Sequence, residues 1–296
     1  MDVSELVPGP GPRRVVTLKD VPGENGSWLL EDDDGRVVLR RYHEGATPED
    51  LAYEHAVLRH LAAAGWAVPE PVGELIRHDG CWYCLTRYVP GRAVAGESPA
   101  QRRRRGRDLA RLHLALRGLA PRFGQRPGSR VQHEGIAAHA GLDWEACVRA
   151  LAEASPRHGA WARAAAAETR AVLAAIGAHE LPVMVVHGDF AEWNVHYEGG
   201  RLAGVIDFGL THLDSRPYEL AIARTYRAPE AIDAYRRELA RLGWPLSELE
   251  EAAVAPVNHA FRLGMTAWLL KAGAETGDYD LAMIERQLAR TGTPPP

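Results

Sequence analysis

The sequence predicts an α+β protein in two lobes, an antiparallel sheet with one helix over residues 1–89 and a larger, mainly helical part over 90–296. Three observations carry this. Short apolar and β-branched runs separated by turn residues fill the first part, one capped helix interrupts them, and beyond Pro90-Gly91 the apolar spacing turns helical except for a strand, loop and hairpin near 181–208.

The first elements follow from local chemistry. Arg14 to Leu18 is β-branched and apolar, Val21-Pro22-Gly23-Glu24-Asn25-Gly26-Ser27 supplies turn residues, and Trp28-Leu29-Leu30 resumes a strand. Asp32 to Gly35 makes a second turn, and Arg36 to Tyr42 is a third strand. Thr47 as N-cap, Pro48 at the first helical position and Glu49 and Asp50 in the first turn start a helix that stops near Gly65. Its apolar stripe is Leu51, Leu58 and Leu61, and Glu54 lies within that stripe, where a carboxylate requires a cation. Glu74 to Ile76 and Trp82 to Tyr88 add two strands around His78-Asp79-Gly80.

The second part reads as helices from Ser98-Pro99 to Leu116, about Arg157 to Ile176, Pro229 to Leu242, from the capping box Ser247 to Glu250 as far as Leu270, and Leu281 to Leu288. Disorder is expected for Thr291 to Pro296.

Composition narrows function. The 296 residues are 46% hydrophobic and 25% charged with a formal net charge of -4, an ordinary globular balance without the clustered positive charge that nucleic-acid binding needs. No apolar run approaches a membrane span, no secretion signal is visible at the start, and three cysteines make no disulfide scaffold. A soluble cytoplasmic protein with a small-molecule partner is the expectation, and oligomeric state is not legible. Lys19 and Lys271 are the only lysines, so arginine stands at positions where lysine is common elsewhere.

The 181–208 island carries the chemistry. Asp189 follows an apolar strand, Asn194 comes five residues later, and Asp207 ends the next hairpin before Gly209. Phosphoryl transfer needs a carboxylate to orient and deprotonate a hydroxyl, and hard oxygen ligands for Mg²⁺. The segments His187-Gly188-Asp189-Phe190-Ala191-Glu192-Trp193-Asn194 and Ile206-Asp207-Phe208-Gly209 resemble the two signature motifs of the aminoglycoside phosphotransferase and choline kinase group, relatives of protein kinases. The resemblance runs by element order from about Val15 to Leu270. It implies a protein-kinase-like fold, ATP and Mg²⁺ as cofactors, Asp189 as catalytic base, and Asn194 and Asp207 as catalytic metal ligands.

It also implies a nucleotide site in the first part. Val37-Val38-Leu39-Arg40 resembles the strand whose basic residue holds the α and β phosphates, with Glu54 as that residue's partner. Strand alternation puts Val38, Arg40 and Tyr42 on one face, which selects Arg40 over Arg41. The family's usual residue there is lysine, and arginine is longer and planar. Gly23, Asn25, Gly26 and Ser27 would form the loop over the phosphates, and Arg87, Tyr88 and Val89 the hinge that binds adenine.

Several conspicuous features take plainer readings. Cys81-x-x-Cys84 is assigned to core packing, Arg102 to Arg105 to a solvated helix face, and His187 to orienting the loop. The acceptor hydroxyl is expected on an aminoglycoside-like antibiotic or related polyol amine, which would make the role antibiotic resistance, with Glu192, Asp214, Glu219, Glu275, Asp278 and Asp280 available for an acidic wall. A metabolite kinase acting on homoserine, choline or a sugar fits the same motifs. A nucleotide-binding pseudo-kinase is the third reading.

Overall fold

The computed structural model describes residues 6–7, 14–20, 24–33, 35–119, 124–132, 136, 142–225 and 228–295. In chain order the strands are β1 (Arg14–Lys19), β2 (Gly26–Asp32), β3 (Gly35–Arg41), β4 (Ile76–His78), β5 (Cys81–Arg87), β6 (Val183–Val186), β7 (Val195–Glu198), β8 (Arg201–Val205) and β9 (His212–Ser215). The helices are α1 (Pro48–Ala63), α2 (Pro99–Leu116), α3 (Trp144–Ala154), α4 (Pro156–Ala175), α5 (Arg216–Thr225), α6 (Pro229–Arg241), α7 (Glu248–Thr276) and α8 (Leu281–Ala289). The chain divides into two compact units, 1–96 with 192–209 and 97–191 with 210–296, so the β7–β8 hairpin belongs with the first.

In the first unit β1-β2-β3-β5-β4 form one antiparallel sheet. Period-two alternation sorts its side chains. Trp28, Leu30, Leu39 and Tyr83 pack into one cluster, while Cys84 and Tyr42 pack with Leu51 of α1 into another. Thr47 caps α1 by accepting the Asp50 N–H at 3.2 Å, and Leu51, Leu58 and Leu61 are buried with Glu54 and His55. The β7–β8 hairpin docks through Gly204, where a Cβ would lie 2.6 Å from the Ala67 carbonyl oxygen and 2.3 Å from Val89 Cγ1. Only glycine allows that approach.

The core of the second unit collects Trp144 and Leu151 of α3, Trp161 of α4, Leu263 and Leu270 of α7, and Ile284 of α8. Helix α7 begins with the capping box of Ser247 and Glu250 and ends at Gly277 in the left-handed conformation. Helices α3 and α5 have no counterpart in the sequence expectations. In α5 nearly every residue is buried, polar ones included, so no apolar stripe marks it.

The expected disorder at 291–296 is corrected as far as residue 295. Thr291 and Thr293 are buried, the Thr293 hydroxyl donates to Glu168 Oε2 at 2.6 Å, and the Trp161 indole N–H donates to the Thr293 carbonyl at 2.9 Å. A buried indole needs such an acceptor, and the tail supplies it.

Cys81, Cys84 and Cys147 are buried free thiols. Burial pushes Cys84 up to about 11 and Cys147 upward as well. Among the described residues no helix is long and apolar enough to cross a membrane.

His55 gives α1 a pH signature. Its ring is 4% exposed and bonds the Tyr42 hydroxyl at 2.8 Å, and burial, with Arg59 and Arg40, lowers its pKa from 6.5 to about 4. Between those values the unfolded chain binds a proton that the folded one refuses, so this contribution is complete above pH 6.5 and is lost as pH falls toward 4. His55→Gln removes up to one proton, about 1.4 kcal/mol per pH unit, from the slope of unfolding free energy over that window, measured by denaturant titration.

Candidate active site

A cavity of about 490 Å³ opens on the sheet face of the first unit that carries Ser27, Val38, Arg40 and Thr86. These four are neighbours by register, because Ser27 pairs with Arg40 and Val38 with Thr86 across the strands. Lys19, Asn25, His43 and Asp207 add polar lining, and Arg87, Tyr88, Val89, His196 and Ile206 continue the wall.

Arg40 is 9% exposed. Its Nη2 lies 3.1 Å from Asp207 Oδ1 and 3.8 Å from Glu54 Oε1, and its guanidinium sits 5.4 Å from the centre of the Tyr42 ring. Burial works against the charge, but Glu54, Asp207 and Tyr42 outweigh it and hold the guanidinium protonated, above the ordinary arginine range. The Arg40 Nε is buried without a hydrogen-bond partner. Arg40 also lines the cavity, and a protonated guanidinium on such a wall suits an anionic ligand. Arg41 points elsewhere, pairing with Asp20 at 3.0 Å and lying over Trp28.

The hairpin places Asn194 and Asp207 at one end. Val195 pairs with Val205, and the Ile206 N–H donates to the Asn194 carbonyl at 2.9 Å. Asn194 is buried, whereas the Asp207 side chain is 48% exposed with its backbone at φ 61°, a left-handed conformation that costs a non-glycine residue energy. Asn25 takes the His43 N–H on its Oδ1 at 2.9 Å. Gly26 and Ser27 are strand residues of β2 rather than loop residues, and Gly26 does not line the cavity. Gly23 lies outside the described residues.

In the second unit a turn after β6 carries Asp189. Across 184–191 Asp189 alone is not buried. Its N–H donates to His187 Nδ1 at 3.1 Å, so His187 orients the turn. Gly188 has φ 90°, and a Cβ there would lie 2.1 Å from the Leu210 carbonyl oxygen, which makes glycine obligatory.

The residue that holds this turn is Glu219 of α5. Its carboxylate accepts the N–H of His187 at 2.7 Å, of Gly188 at 3.1 Å and of Phe190 at 3.3 Å. Carbonyls are held as well, Gly188 by the Tyr218 hydroxyl at 3.3 Å and Phe190 by Arg105 Nη1 at 3.2 Å. Burial opposes ionisation of Glu219, yet His113, 3.6 Å away, with His187 and the Gly188 N–H, keeps it below the usual carboxylate range.

Three sequence readings need correction. Glu219 and Asp214 are fully buried and cannot wall a substrate; Asp214 instead accepts the Gln132 and Ser215 N–H groups at 2.7 and 2.6 Å. Arg105 is not on a solvated face but is 3% exposed, bound to Glu97 at 2.9 Å and to the Phe190 carbonyl. Thr86, His43 and His196, absent from the expected site residues, line the cavity. Thr86 was recoverable from its register opposite Val38; the other two carry no sequence signal.

Residues 17–253 match the profile described as "Phosphotransferase enzyme family". The homoserine kinase of Phenylobacterium zucineum is 30% identical over 290 residues, covering 92% of this chain and 86% of that protein. The homoserine kinase of Methylobacterium radiotolerans is 27% identical over 225 residues, 73% of this chain and 65% of that protein. Among solved structures, a thermostable mutant of aminoglycoside phosphotransferase APH(4)-Ia superposes with a TM-score of 0.63 at 18% identity, over 94% of both chains. The microcompartment-associated aminopropanol kinase gives 0.60 at 15% identity, over 95% of this chain and 90% of that one.

Glu219→Gln leaves the volume unchanged but turns an amide toward backbone donors. The expected result is a loss of about 2–4 kcal/mol in denaturant unfolding and a fall in kcat of about tenfold or more at saturating substrate. The match over 17–253, joined to this kinase-like fold and site, establishes that the chain belongs to the phosphotransferase enzyme family and is a small-molecule kinase.

Proposed function

We propose that the protein is an ATP- and Mg²⁺-dependent kinase that phosphorylates the hydroxyl of a small amino-acid-like alcohol, with homoserine the first candidate, in the cytoplasm. The observation that carries the nucleotide half is Arg40, a protonated and largely buried guanidinium among the residues that line the 490 Å³ cavity. A phosphate is the anion that such a fork of donors binds well.

The donor set fits Mg²⁺. Asn194, buried, and Asp207, with a half-exposed carboxylate, stand at the same end of the hairpin, and an amide and a carboxylate are the oxygen donors that Mg²⁺ takes. Among the described residues no group of three or more His, Cys, Asp or Glu is poised to hold a metal. Mg²⁺ takes few protein oxygens and completes its shell with phosphate and water. When bound, it neutralises charge on the phosphates. The Arg87–Val89 segment provides backbone groups for the base, and Arg40 the charge for the phosphates. Asp189, half-buried on the pinned turn, orients the substrate hydroxyl and takes its proton.

For substrate, the homoserine kinase that aligns over 92% of this chain supports an amino-acid alcohol. An aminoglycoside is less well supported, because two of the six acids available for a cationic wall, Asp214 and Glu219, are spent inside the fold.

The test is transfer from Mg-ATP to L-homoserine, hygromycin B, 1-amino-2-propanol and choline, with phosphorylated product followed by mass. Homoserine is expected to show the highest kcat/KM, and Asp189→Ala to keep nucleotide binding while losing about 100-fold or more in kcat. Product on hygromycin B alone would sink the substrate assignment. An unimpaired Asp189→Ala would sink the base.

A further inference from the structure

We propose that Arg40 is an internal counter-cation for Asp207, which excludes a divalent metal from the nucleotide-free site and so makes the metal enter with the nucleotide. This rests on the nucleotide and metal reading above and deepens it.

Arg40 Nη2 sits 3.1 Å from Asp207 Oδ1, a charge-assisted hydrogen bond on the carboxylate that the metal would use. A hard cation held by this carboxylate would stand close to the guanidinium, so the two would compete for one carboxylate as like charges.

Neither partner is free to retreat. The guanidinium is buried, lies over the Tyr42 ring and has Glu54 at 3.8 Å behind it. Asp207 is fixed by its left-handed backbone and by the Ile206 to Asn194 hydrogen bond. Gly209 completes the fit, since a Cβ there would stand 3.3 Å from Arg40 Nη2. The other charged pair on the cavity wall, Lys19 and Glu24, is self-compensated at 2.7 Å and offers the metal no net attraction.

Nucleotide changes the balance. Its phosphates bring further acceptors for the Arg40 guanidinium on the cavity wall and enough negative charge for two cations, which releases the Asp207 carboxylate. Arginine suits this double use because its fork spans two anionic partners, which a lysine ammonium does as a single point.

Mn²⁺ is the probe, bound to nucleotide-free protein and counted by electron paramagnetic resonance. Arg40→Met is expected to bind Mn²⁺ at least about tenfold more tightly than wild type. Arg41→Met removes the same charge outside the cavity and should stay within about threefold of wild type. Adding Asp207→Asn to Arg40→Met should abolish the gain, and a non-hydrolysable ATP analogue should raise Mn²⁺ affinity of the wild type. Equal affinity in wild type and Arg40→Met, or an equal gain in Arg41→Met, overturns the proposal. Tight Mn²⁺ binding that survives Asp207→Asn instead overturns Asp207 as a metal ligand. Arg40→Gln serves as the second variant if Arg40→Met does not fold, judged by circular dichroism.

Discussion

Turns that bury their backbone must find acceptors for N–H groups that strand pairing leaves over, and at 187–190 the acceptor is one carboxylate. Glu219 takes three N–H groups from four successive residues, while Tyr218 and Arg105 take two of the carbonyls. An unsatisfied buried group costs about 1–3 kcal/mol, so this turn has one arrangement open to it. Asp189 shares that rigidity, because the N–H groups on either side of it are held by a carboxylate thirty positions along in sequence.

The first unit uses a different economy. There a sheet face chosen by strand alternation supplies Ser27, Val38, Arg40 and Thr86, and a hairpin joined through glycine contacts leads with His196, Ile206 and Asp207. Charge is balanced locally, with Arg40 set between two carboxylates and Lys19 matched to Glu24. Such a wall holds a compact arrangement before any ligand arrives, which lowers the ordering cost of binding.

Much of this was legible in the sequence because the relevant signals are local. Thr47-Pro48 with acids in the first turn announces α1, Ser247 to Glu250 announces α7, and period two places Arg40 on the inner face. Glu54 stood out as a carboxylate in an apolar stripe, and a cation does lie beside it. What escaped depends on distant contacts. Glu219 and Asp214 look like any surface acids until α5 and β9 are folded, Arg105 is one of four consecutive arginines, and α5 is buried all round. The tail was read from its composition, whereas its order comes from a hydrogen bond to an indole more than a hundred residues earlier.

The burial of all three thiols has a practical side. With Cys84 pushed up to about 11 and Cys81 and Cys147 enclosed, the native protein offers a maleimide or a spin label little to react with. A cysteine introduced at Leu18, 55% exposed on the rim of the cavity, would therefore be labelled selectively in the otherwise unaltered chain. Anything that enters the cavity next to β1 becomes directly visible to spectroscopy, with the native cysteines left in place.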